Sequence, residues 1–189
     1  MKSIKKTFGT LLLALAATTF VQAQSMDNTV EVGGAAMYPK KNIVENAVNS
    51  KTHTTLVTAV KAAGLVETLQ SAGPFTVFAP TNDAFENLPD GTVETLLKKE
   101  NKGTLTSVLT YHVLAGNYSA EELMKLIIKG NGKASLKTVS GGMLTFVMNG
   151  SKNIKVEDEN GNSGNISIYG VTQSNGVIHV VDAVLLPKM

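Results

Sequence analysis

The sequence holds three histidines, His53, His112 and His179, and no cysteine. Imidazole is therefore the only side chain present that ordinarily titrates near neutrality, and thiolate chemistry is excluded. His179 precedes Asp182 by three positions on a predicted strand. Strand positions an odd number apart face opposite ways, so these two cannot pair as a catalytic base and its orienting acid. Serines are plentiful, yet none lies in the Gly-x-Ser-x-Gly elbow that would expose a nucleophile. No two histidines share ligand spacing, and no thiolate is available to complete a structural zinc site. The acidic run Glu157-Asp158-Glu159 with Asn160-Gly161 lacks the alternating oxygens and distant glutamate of a calcium loop, and reads as a solvated hairpin turn. These residues argue for no catalytic site, no metal and no cofactor. His179 is expected to bond neighbouring backbone, and Asp182 to anchor a turn or a helix end.

Tyr111-His112 offers more: a ring, a hydroxyl and a titratable nitrogen side by side at a predicted helix end. Leu105, Val108, Leu109, His112 and Val113 mark one stripe at helical spacing, which sets a core role for His112 against a recognition role. Asn82 and Asp83, after Pro80-Thr81, are of the types that cap a helix start, here a helix running through Phe85. Asn117, Asn149 and Asn165 each open an Asn-x-Ser sequon, meaningful only in a host that glycosylates it.

The elements that must position these residues fall into two halves. Residues 24–41 are polar, with Gly33-Gly34 and Pro39 as punctuation, and read as a flexible lead-in. From Ile43 to about Ser71 the apolar spacing predicts two or three short helices, with Leu56, Ala59, Val60 and Ala63 on one face and Gly64 as a helix end. Gly73-Pro74 breaks that pattern before a buried strand over 75–79 that Pro80 closes. Helical signals return at 83–88, at 92–99 and at 105–113, and Ser119 with Glu122 forms a capping-box pattern that starts a helix through about Lys129. After Gly130 the texture changes to short alternating strands separated by Asn149-Gly150, Asn160-Gly161 and Asn175-Gly176, a dipeptide suited to tight hairpin turns. The last strand, 177–186, is apolar at most positions and is expected in the middle of a sheet. Helices first and a β-meander afterwards argue for an α+β domain.

Three segments then carry a family resemblance: Thr76-Val77-Phe78-Ala79-Pro80-Thr81-Asn82-Asp83-Ala84-Phe85, Tyr111-His112-Val113-Leu114, and the closing run from Asn175-Gly176 through His179 and Asp182 to Pro187. In this order and at these separations they resemble the fasciclin domain, and the resemblance covers residues 42–187. It implies a wedge of β-strands packed with several short α-helices, in secreted and surface proteins associated with adhesion and partner binding. It also implies a partner-binding neighbourhood around Tyr111 and His112. The other motif residues, Thr76, Phe78, Pro80, Thr81, Asn82, Asp83, Phe85, Gly176, His179 and Asp182, read as structural.

Residues 1–23 read as a cleavable secretory signal: Lys2, Lys5 and Lys6, then the apolar run Leu11 to Ala17, then Val21-Gln22-Ala23. The alternatives are an uncleaved anchor or a buried core helix, but the run falls short of the about 20 apolar residues that span a bilayer, and the lysines at one end and the Ala-Gln junction at the other fit a leader. No cysteine follows it to carry a lipid. Export to the periplasm or the extracellular space is the expectation. The chain has 17 basic and 15 acidic residues, and loss of the three leader lysines leaves 14 against 15, about −1. Every basic residue is lysine, so the planar fork that reads phosphates and guanines is missing and nucleic acid is an unsuitable partner. Without disulfides the exported domain must hold itself by packing.

The expected function is a non-enzymatic binding or adhesion module. Its partner would be an extracellular or envelope protein, a surface polysaccharide, or a second copy. The alternative from another class is a carrier of a small apolar ligand or lipid. It is motivated by the Leu- and Met-rich stretch from Leu123 to Ile128 and by the apolar strand from Leu144 to Met148.

Overall fold

A computed structural model describes residues 29–188. The leader over 1–23 and the first part of the lead-in lie outside the described residues. The rest of the lead-in is ordered structure, which corrects the expectation of a flexible segment. Val30–Val32 (β1) and Ala35–Met37 (β2) pair antiparallel. Gly33 and Gly34 between them both have positive φ, as a two-residue hairpin turn requires. Val32 and Met37 are buried, and the Asn46 side chain bonds both backbone groups of Tyr38 just beyond the hairpin. Two three-residue strands are too short to show a period, which is why the sequence concealed them.

Three helices follow: Ile43–Ala47 (α1), Thr54–Ala63 (α2) and Val66–Gln70 (α3). The α2 stripe buries Ala59, Val60 and Ala63, and Gly64 ends it in the left-handed conformation that glycine adopts without strain. Next come Phe75–Pro80 (β3), Asn82–Glu86 (α4), Thr92–Leu96 (α5) and, after a short 3-10 turn, Lys102–Tyr111 (α6). Val113–Ala115 (β4) leads to Ala120–Lys129 (α7), whose start carries the capping box between Ser119 and Glu122. The C-terminal strands are Lys133–Lys137 (β5), Met143–Asn149 (β6), Asn153–Glu157 (β7), Ser163–Gln173 (β8) and Gly176–Val181 (β9).

The main sheet has the order β4-β3-β9-β8-β7-β6-β5. The meander from β5 to β9 is antiparallel throughout, while β3 inserts beside β9 in parallel. Irregularities between Ile166, Ile168 and Val171 bend the long β8, so that β7 pairs with its first residues and β9 with the remainder. The bend curls the sheet until its two edges meet, where Leu114 bridges Thr138 and the Val139 N–H donates to Val113. The last strand ends at Val181, five residues short of its expected end, but Val184 and Leu185 beyond it remain buried.

Both faces of the parallel pair are covered. Phe78, His179 and Val181 face the inside of the curl, where Phe78 and Val181 join Tyr111, Leu123, Ile127, Leu144 and Phe146. Val77, Ala79, Ile178 and Val180 face the opposite side, packed with Val32, Met37 and Ile43. Full burial of a side chain such as Phe78 or Leu144 contributes roughly 1.5–3 kcal/mol. Of the stretches that motivated a carrier, Leu123, Ile127, Leu144 and Phe146 are packed core with no exposed surface, while Ile128 points to solvent.

Candidate functional site

Helix α6 delivers Tyr111 and His112 into the interior, at 0% and 3% exposure, so neither ring lies on the surface that a partner would touch. The structure thus favours the core role over direct recognition. His112 Nδ1 stands 2.8 Å from the Val108 carbonyl, an acceptor, and so carries the proton. Nε2 then accepts from the Leu185 N–H at 3.0 Å. Burial lowers the His112 pKa to about 4, although the Val108 carbonyl and the charge of Asp158 favour the protonated form. The Tyr111 hydroxyl donates to Met143 O at 2.7 Å and accepts from Glu159 N–H at 3.1 Å. Burial pushes it up to about 12; the Glu159 N–H opposes that rise, and the Glu159 and Asp158 charges add to it.

Asp158 completes this latch. It is 7% exposed, which corrects the reading of residues 157–161 as a merely solvated turn. Its Oδ1 accepts from the N–H groups of Asn160 and Asn162, and its Oδ2 from the Asn162 amide and the Leu186 N–H, all at 2.8–3.0 Å. The carboxylate shapes the β7–β8 turn and pins the C-terminal tail beside the residue that His112 holds.

The second histidine is likewise engaged at both nitrogens. His179 Nε2 donates to Tyr118 O at 2.8 Å and Nδ1 accepts from Gly170 N–H at 3.2 Å, while the ring stacks on Phe78 with centroids 5.4 Å apart. Burial lowers its pKa, opposed by the bond to Tyr118. Thr76 reaches the same segment, donating to Gly116 O and accepting from Tyr118 N–H. Asp182 accepts from both the backbone and the amide of Asn165, fastening β9 to the start of β8. Asp182 lies in the bend just beyond β9 and His179 within the strand, and both bond backbone groups.

Thr81 is the cap of α4, accepting from Ala84 N–H, and Asp83 sits exposed in that first turn near the positive end of the helix. Asn82, expected to share the α4 cap, works elsewhere. Its Oδ1 accepts from the Thr55 N–H and its amide donates to Lys51 O, so it caps α2, which has no side-chain cap of its own. Phe85 packs with Val108 and Val184, and Pro80 closes β3.

Two groupings had no clear sequence signal. Ser50 Oγ lies 2.8 Å from His53 Nδ1, with Thr52 Oγ1 at 3.1 Å. A serine beside a histidine is the geometry of an activated nucleophile. Here, however, Ser50 is 2% exposed, and the void beside His53 is only about 20 Å³, room for a water and not a substrate. Burial lowers the His53 pKa, opposed by the Ala79 carbonyl, yet Nε2 has no partner within hydrogen-bond geometry. The other grouping is a cavity of about 80 Å³ between α1–α3 and the outer face of the sheet.

The comparisons with known proteins agree with this architecture. Residues 51–187 match the family described as the Fasciclin domain. The chain belongs to the fasciclin family. The match starts downstream of the β1–β2 hairpin and α1, so this fasciclin domain carries ordered structure before its matched region. The chain is 42% identical over 177 residues to protein sll1483 of Synechocystis sp., covering 94% of this chain and 91% of that protein. It is 36% identical over 148 residues to the immunogenic protein MPB70 of Mycobacterium bovis, covering 75% of this chain and 66% of that one. It is 32% identical over 170 residues to the cell surface glycolipoprotein MPB83 of the same species, covering 87% and 68%. Among solved structures, a FAS1 domain pair from the insect cell adhesion molecule Fasciclin I shares the fold at TM-score 0.68 and 18% identity, covering 79% of this chain and 52% of that chain.

Proposed function

We propose that this fasciclin domain is a non-catalytic binding module that works outside the cytoplasm, holding an envelope or extracellular protein or a surface polysaccharide by complementary surfaces. One observation carries the reading: the polar motif residues are committed to the fold. His112 and His179 each bind backbone through both ring nitrogens, and Asp158, Asp182 and Thr76 hold turns and the tail. A neutral imidazole that already donates once and accepts once has no lone pair or proton left for a substrate. A macromolecular partner is therefore met by the outer surface. The leader pattern supports export, and a cell surface relative and a cell adhesion molecule of the same fold support a surface role.

The test has two parts. In cell fractions from its host, the chain is expected in the periplasm or medium. The chain purified from there and immobilised is expected to retain a component from the envelope-protein or surface-polysaccharide fraction, saturably and in competition with free chain. Recovery from the cytoplasm, or no saturable retention from either fraction, would overturn the proposal.

A further inference from the structure

The cavity between the helices and the outer face of the sheet is apolar, like the void beside His53, but has about four times its volume. Its exposed polar and charged surface is almost nil, and its walls are aliphatic and aromatic side chains from α1, α2, α3, β3 and β9. Of the residues that line it, only Lys61, Thr68 and Val139 are exposed, so they mark its mouth. The deep wall comprises Val77, Ala79 and Ile178, all buried. His112 also borders the cavity, but both of its nitrogens are bonded elsewhere, and Thr110 donates its hydroxyl to Thr106 O. The interior therefore offers a guest neither a free donor nor a free acceptor. A polar or charged guest would lose its hydration with nothing in return, whereas an apolar guest would fill space that the helices leave open.

From this geometry we infer that the cavity is a binding site for an uncharged apolar ligand, no larger than one aromatic ring or a short alkyl chain, entering past Lys61, Thr68 and Val139. The size follows from the volume: a dry apolar cavity of about 150 Å³ takes up benzene, and this one is smaller but open at one end. It lies on the opposite side of the sheet from the Leu- and Met-rich stretch to which the sequence directed attention. The site is independent of the outer-surface contacts proposed above.

Toluene is the probe, and benzoate its charged counterpart of similar shape. With methyl-labelled full chain in solution, toluene is expected to shift the resonances of Val57, Val66, Leu69 and Val139 and to raise the thermal midpoint, while benzoate leaves both unchanged. Val66→Phe places a ring from α3 into the space and is expected to abolish the toluene shifts while the methyls of Leu123, Ile127 and Leu144 keep their positions. Wild-type methyls at the cavity that ignore saturating toluene would overturn the inference whatever the variant does. So would an equal response to benzoate. The partner-retention assay reads none of these signals, so either proposal can fail alone.

Discussion

The backbone N–H of Leu185 donates to His112 Nε2 at 3.0 Å, closing a loop of 73 residues between the end of α6 and the C-terminal tail. The bond depends on one tautomer, fixed because Nδ1–H is engaged by Val108 O. His112→Ala removes a buried ring and leaves the Leu185 N–H without an acceptor. Together these are expected to cost about 2–4 kcal/mol. Urea unfolding measures it. A loss well under 1 kcal/mol would show that the tail is held without this bond.

The same burial makes the fold sensitive to acid. In the unfolded chain His112 titrates at its ordinary value of 6.5, and in the fold at about 4. Between those values the unfolded state binds a proton that the folded state does not, so stability is full above the upper value and falls as the pH drops toward the lower one. A shift of that size corresponds to roughly 3 kcal/mol for this residue. His53 and His179, also lowered by burial, add in the same direction. Denaturation midpoints are expected to decline from pH 7 to pH 4. His112→Gln, which cannot be protonated, is expected to flatten part of that decline, and an unchanged slope would contradict the assignment.

Asp158 binds the turn and the tail through one carboxylate. Asp158→Ala leaves the N–H groups of Asn160, Asn162 and Leu186 without their acceptor, and hydrogen bonds to a charged group are worth about 1.5–3 kcal/mol. A loss of about 2–3 kcal/mol is expected, with amide exchange accelerated at 160–162 and 184–186. Accelerated exchange confined to the turn would show that Leu186 is held by other means.

Some of these relations could be read in the sequence and others could not, for physical reasons. The capping box of α7 spans four adjacent residues, and the Asn-Gly turns are local, so both were visible directly. Two-sided burial of β9 followed from a run that is apolar at most positions. Asp158, by contrast, owes its burial partly to Leu186, 28 residues away, and Asn82 caps a helix 27 residues upstream. Composition at those sites says only that a turn or a cap is near. The apolar cavity is less legible still, because it depends on how far three short helices stand from a sheet. Tyr111 and His112 stand out by motif, but their burial is visible only in the fold.

Gly176 tests a close backbone approach in the sheet. It begins β9 opposite Phe75, and a Cβ there would fall on the Phe75 carbonyl oxygen. That oxygen belongs to a paired strand and cannot swing aside as a flexible side chain would. Gly176→Ala is expected to cost about 1–3 kcal/mol, the range for forced overpacking, and to loosen the β3–β9 pairing in amide exchange. A neutral substitution would mean that the two strands can part slightly at this end without loss.

Asn175, the residue before it, connects the sheet to the helices that roof the cavity. Its Oδ1 accepts from Ile43 N–H at 3.1 Å, at the start of α1, and its amide donates to Leu69 O at 2.8 Å and Ser71 O at 3.0 Å, at the end of α3. Ile43 and Leu69 both line the cavity, so one side chain in a hairpin turn sets how closely two short helices approach the strands. Helices of five residues cannot hold themselves in water and depend on such tertiary ties. Asn175→Ala removes all three bonds. The expected results are a stability loss of about 1–3 kcal/mol and faster amide exchange in α1 and α3, with little change in α7 or β6. Uniform acceleration across the chain would instead mean that these helices open only with the whole domain, and the separate tie through Asn175 would be refuted.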